Sequence, residues 1–146
     1  MSTVLTHATI YTGEQENPVI KDAYIRFDKQ IEAMGPMAEL VLTATDDVVR
    51  ADRKVIVPGF IDVHTHDDIT VIRMPEYLPK ISQGVTTVIV GNCGISAAAA
   101  TMKGDVPDPM NLLGEAAQFV YPTVDAYAQA VTQARPAVNV GTLVGH

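Results

Sequence analysis

His64 and His66, one residue apart, and Cys93 are the side chains whose types and spacing speak most directly of chemistry. Neutral imidazole and thiolate are preferred ligands of zinc. Two imidazoles at i and i+2 of an extended strand project from the same face. On that spacing His64 and His66 can converge on one ion, while Thr65 between them turns to the opposite side. The competing reading is a pair of hydrogen-bonded strand histidines, because so short a motif recurs without a metal. Cys93 lies between Gly91-Asn92 and Gly94, a composition that makes a tight turn and holds the thiol at a rim. Its alternative is a small buried hydrophobe. Asp67 and Asp68 follow the histidines directly and are candidates to accept hydrogen bonds from the imidazoles and orient them, or else solvated loop residues.

Elements must carry these side chains. Val55, Ile56, Val57, Phe60, Ile61 and Val63 form a nearly continuous apolar run before the histidines. That run predicts one strand covered on both faces and stopping at the imidazole pair. Residues 75–83 carry Tyr77, Leu78 and Ile81 at helical spacing, with Pro75 suited to a first turn and Gly84 to the stop, and predict a helix. Val85 to Val90 predicts a β-branched strand ending at Gly91. A long irregular stretch runs through Met102 to Pro109. Thr123 caps a helix with Asp125 in its first turn, an apolar stripe of Tyr127, Ala130, Val131 and Ala134, and Pro136 at its end. Residues 137–144 predict a third strand, which terminates at Gly145-His146. Strands alternating with helices imply βαβ units and a parallel sheet, with chemistry gathered at the C-terminal strand ends. His64 and His66, Cys93, and His146 stand at those ends of three successive strands. Before them, residues 1–57 read as short strands and turns: Val4 to Thr12, Ala23 to Phe27, a turn at 28–30, Ile31 to Met34, a break at Gly35-Pro36, and Val48 to Ala51. His7 falls in this module as a surface residue.

Composition narrows the partners. The 146 residues are 47% hydrophobic and 18% charged, a globular balance. A net charge of −7 without a basic run argues against nucleic acid and against an anionic membrane surface. No apolar stretch approaches a bilayer span, and the first residues lack the pattern of a secretory signal. A single cysteine cannot form an intrachain disulfide and fits a reducing cytoplasm. Oligomeric state is not legible.

The stretch from Pro58 to His66 resembles the first barrel strand of the amidohydrolase superfamily, and residues 1–57 resemble its small flanking β-sandwich. His64-Thr65-His66-Asp67-Asp68, together with the run from Gly84 through Gly91-Asn92-Cys93-Gly94 to Ser96, resembles the N-acyl-D-amino-acid deacylases, or D-aminoacylases. Asn139-Val140 and Val144-Gly145-His146 are similar to that family's third strand and next loop. Asn111-Leu112-Leu113-Gly114 is similar to the N-acyl-D-glutamate branch. The resemblance implies an α/β fold, a partial (β/α)8 TIM barrel over 58–146 preceded by a β-sandwich part over 1–57. It implies a zinc-dependent hydrolase of linear amides acting on small-molecule N-acyl-D-amino acids. Cys93 would match the ligand of a tightly held Zn2+, and His64 and His66 a second, weaker metal position. His146 would contact substrate, and the general base and further ligands would lie beyond residue 146. A whole barrel takes about 250 residues, so the resemblance also implies an N-terminal fragment inactive alone. Two alternatives stay open. One is a cyclic-amide hydrolase of hydantoinase or dihydroorotase type, against which Cys93 and the charge of Asp68 argue. The other is a non-catalytic scaffold on the same fold.

Overall fold

Burial alternates along the first strand, β1 (Thr3–Tyr11): Val4, Thr6, Ala8 and Ile10 are buried and the residues between them less so. That is the period of a half-covered strand. The computed structural model describes residues 1–144, and the chain divides into two units, Met1–Pro58 and Gly59–His146.

In the first unit β2 (Val19–Phe27) runs antiparallel to β1. β3 (Ile31–Pro36) returns antiparallel to β2 through the turn expected at 28–30, where the Asp28 amide donates to the Gln30 carbonyl at 3.2 Å. β4 (Asp47–Arg50) and β5 (Val55–Ile56) both lie parallel to β1. Ile10, Ala23 and Ile25 form its core. Among the described residues this unit is a single five-stranded sheet rather than two stacked layers. The two short strands β4 and β5 are taken up along β1 and leave nothing to build a second layer. Gly35 and Pro36 do not break β3 but pair with Tyr24 and Ala23. An edge strand tolerates a proline because its outward N–H has no ladder partner to lose.

The second unit is a mixed α/β arrangement around a three-stranded parallel sheet. β7 (Val85–Val90) is central, flanked by β6 (Phe60–Asp62) and β10 (Asn139–Thr142). Between β7 and β10 come a small antiparallel ribbon, β8 (Ala100–Thr101) with β9 (Val120–Tyr121), and helix α3 (Val124–Ala134). The Thr123 hydroxyl accepts from the Ala126 amide at 3.0 Å, the cap expected at that position. Tyr127, Phe119, Val71, Val88 and Val90 are the largest fully buried apolar side chains of its core.

Two expectations change here. The apolar run 55–63 is not one strand: Val55–Ile56 joins the first sheet, and the chain enters the second at Phe60. Gly59 makes that entry possible, since a Cβ there would lie 2.2 Å from the Thr86 hydroxyl. Among the described residues β6 is a sheet edge, and Phe60, Ile61 and Val63 are exposed. The helix expected over 75–83 is a single turn, α2 (Leu78–Ile81), preceded by an unforeseen turn, α1 (Thr70–Arg73). Pro79 explains the shortening: it lacks an N–H and disfavours helical geometry in the residue before it, so it sits only in the first turn. No helix among the described residues is long and apolar enough to cross a membrane.

Candidate metal centre

β6 ends at Asp62, so the histidines ride on the irregular segment that follows rather than on the strand itself. That segment still runs beside β7. The Thr65 amide and hydroxyl both donate to the Ile89 carbonyl, each at 3.2 Å. Thr65 is buried by these bonds while His64 is exposed and His66 half-buried, the two-sided arrangement expected of alternate residues.

Cys93 arrives from the end of β7. Gly91 takes a left-handed conformation, φ +81°, and its Cα is pressed against the chain after β10: an added Cβ would sit 2.4 Å from the Leu143 carbonyl oxygen. Asn92–Gly94 forms one tight turn in which Cys93 is itself left-handed, φ 60° and ψ 19°. The thiol is thereby exposed, not packed in the core. His64 Nε2 and Cys93 Sγ are 3.2 Å apart, the His64 and His66 rings stand edge to face at 5.6 Å, and one donor atom from each of the three residues lies within 4.8 Å of the others.

Two nitrogens and a sulfur at these separations suit zinc, which accepts both donor types and imposes little geometry of its own. His66 Nδ1 adds a second sign: it is buried and has no hydrogen-bond partner among the described residues, a state that proteins rarely leave uncompensated.

The acidic neighbours find partners outside the imidazole pair among the described residues. Asp68 was a candidate to orient an imidazole. It is fully buried and its carboxylate instead accepts from two backbone amides, Gly91 at 3.3 Å and Ala97 at 3.0 Å. Burial pushes its pKa up, against the pull of those two bonds. Asp67 Oδ2 is 3.4 Å from Lys80 Nζ, an ion pair too long for a good hydrogen bond. Lys80 bonds Asp62 more tightly, at 2.5 Å, which holds the Asp62 carboxyl below its usual range and the ammonium above its own. Lys80 thus bridges carboxylates on both sides of the histidines, a role with no signal in the local sequence. Asn92 ties the two segments again, its side-chain amide donating to the Ile89 carbonyl at 2.8 Å and the Thr65 carbonyl at 3.4 Å. His146 lies outside the described residues. His7, in the other unit, is 2.8 Å from Asp22 at an irregularity of β1 and β2.

Known proteins resemble this chain in sequence and in fold. An N-acyl-D-aspartate deacylase of Alcaligenes xylosoxydans xylosoxydans is 46% identical over 99 residues, covering 68% of this chain and 20% of its own length. The crystal structure of a D-aminoacylase described as defining a novel subset of amidohydrolases superposes with a TM-score of 0.86 at 38% identity, covering 99% of this chain and 29% of that one. An N-acyl-D-glutamate deacylase from Bordetella bronchiseptica, solved with zinc and a phosphonate mimic of the tetrahedral intermediate, gives 0.82 at 39% identity with the same coverage. The chain therefore spans between a fifth and a third of the length of these relatives. The amidohydrolase family model matches residues 47–146, which include His64, His66 and Cys93. On that match over more than half its length, the chain belongs to the amidohydrolase family.

Proposed function

We propose that the whole protein carrying these residues is a zinc-dependent hydrolase of linear amide bonds that releases the acyl group from N-acyl-D-amino acids. The observation that carries this reading is the meeting of His64, His66 and Cys93 donor atoms within 4.8 Å at the ends of two neighbouring parallel strands. Relatives named as D-amino-acid deacylases, one of them solved with zinc, support the same chemistry. On this reading β6, β7 and β10 are the first three strands of a (β/α)8 barrel beginning near residue 58. Residues 1–57 supply one sheet of a flanking β-sandwich.

Cys93 would hold a tightly bound zinc, and His64 and His66 a second, weaker position. When bound, zinc supplies Lewis-acid chemistry, making water acidic enough to ionise near neutrality and polarising an amide carbonyl. The chain's own contribution is placement. Thr65 fixes the histidine segment on β7 through Ile89, so both imidazoles are oriented before any ligand arrives. The turn at Gly91–Gly94 lifts the thiol out of the packed layer. His146 would position the substrate amide, and residues outside 1–146 would supply the remaining ligands and the general base. A free thiol used as a ligand fits a reducing cytoplasm, where we place the protein.

Zinc analysis and an amidase assay on the whole protein test the reading. It should purify with zinc and hydrolyse N-acyl-D-amino acids in preference to their L isomers. Chelation should abolish turnover and added zinc restore it. A protein that cannot be loaded with metal, or whose turnover ignores a chelator, would refute the proposal.

A further inference from the structure

Asp68 takes no part in the chemistry above, yet it is completely buried, and an ionised carboxylate is costly to bury unless its oxygens are well partnered. Both oxygens go to the loop that carries Cys93. Oδ2 accepts from the Gly91 amide and Oδ1 from the Ala97 amide, so the two bonds straddle the cysteine. Asp68 is itself anchored, its carbonyl accepting from the buried Tyr127 hydroxyl of α3 at 2.9 Å. It also follows His66 by two residues. One side chain therefore joins the segment bearing both imidazoles to the loop bearing the thiol. That loop needs restraint, because Cys93 sits at φ 60° between two left-handed glycines, a conformation that residues with a Cβ rarely adopt.

We propose that Asp68 is a positioning residue for Cys93: by bonding the Gly91 and Ala97 amides it presets the thiol at the distance from His64 and His66 that a shared metal environment requires. This rests on the metal reading of the site. A carboxylate is called for because both partners are N–H donors. Asparagine has one carbonyl oxygen, and its NH2 group would face a second N–H. One loop amide then loses its acceptor and the Cys93 turn is released on that side. Partners that orient metal ligands typically change metal affinity by about 10- to 100-fold when removed.

The test uses the whole protein loaded with cobalt(II), whose thiolate charge-transfer absorption reports sulfur ligation. Wild type should show the band. D68N with an unchanged circular dichroism spectrum should show a weakened band and cobalt affinity lower by about 10- to 100-fold. A D68N protein with wild-type band and affinity overturns the inference. A wild-type protein without the band, or a Cys93→Ala protein with an unaltered spectrum, overturns the metal reading instead, so the two failures are distinct. Amide exchange in metal-free wild type decides the matter even if D68N does not fold. The Gly91 and Ala97 amides should be protected without metal, because Asp68 holds them. Exchange of both at unprotected rates would overturn the inference.

Discussion

Gly91→Ala is the substitution that most sharply probes how the thiol is delivered. Two separate terms oppose it. The first is conformational: at φ +81° alanine pays about 1–2 kcal/mol for the left-handed region, reduced by about 0.4–1 kcal/mol because it also restricts the unfolded chain. The second is contact. The new Cβ would stand 2.4 Å from the Leu143 carbonyl oxygen, and ordinary contact begins at 3.4 Å. The backbone there is tied by the Leu143 amide to the Val90 carbonyl at 2.9 Å, so it can retreat only by straining that bond. Overpacking of this kind costs about 1–3 kcal/mol, giving a total of about 1–4.6 kcal/mol, centred near 3. Gly104 supplies the control, for it is also left-handed, φ +96°, but has nothing within 4 Å of its would-be Cβ. Gly104→Ala keeps only the conformational part and should cost about 0–1.6 kcal/mol, centred below 1. Urea unfolding of the whole protein and both variants, followed by circular dichroism, measures the difference. Equal destabilisation by the two alanines would refute the claim that close approach of the chain after β10 shapes the Cys93 turn.

Tyr127→Phe removes the hydroxyl that the Asp68 carbonyl accepts deep in the core and should destabilise by about 1–2 kcal/mol in the same assay. A change below about 0.3 kcal/mol would mean that the bond is not formed in solution. Asp46→Asn tests acid stability. The Thr43 amide and the Arg26 guanidinium hold the Asp46 carboxyl below its ordinary value of 3.8. The ionised form is therefore favoured by folding. Its contribution is complete above that ordinary value and is lost as pH falls through the lower, folded one. D46N should unfold at lower denaturant near neutrality, with the gap to wild type closing at strongly acid pH. A constant gap across the acid range would contradict the assignment.

The site was more legible in the sequence than the frame around it. His64 and His66 declare themselves by a spacing of two, and Gly91 and Gly94 around Cys93 mark a turn that only left-handed backbone can make. Both signals are local. The strand before the histidines misleads because apolar character alone does not say which sheet a residue joins, and the chain changes sheets within the run at Pro58-Gly59. Pro79 was readable and sets the length of α2, yet the apolar spacing around it points to a longer helix. The task of Asp68 could not be read at all. Its partners are main-chain amides 23 and 29 residues away, and a backbone N–H leaves no mark in a sequence. Lys80 is hidden for a related reason, since it meets Asp62 and Asp67 only once α2 folds back beside the histidine segment.

X-ray absorption at the zinc edge of the whole, zinc-loaded protein tests the central claim most directly. The account predicts one sulfur at about 2.3 Å together with nitrogen or oxygen neighbours, and loss of that sulfur in Cys93→Ala. A shell built only of nitrogen and oxygen in the native protein would contradict it.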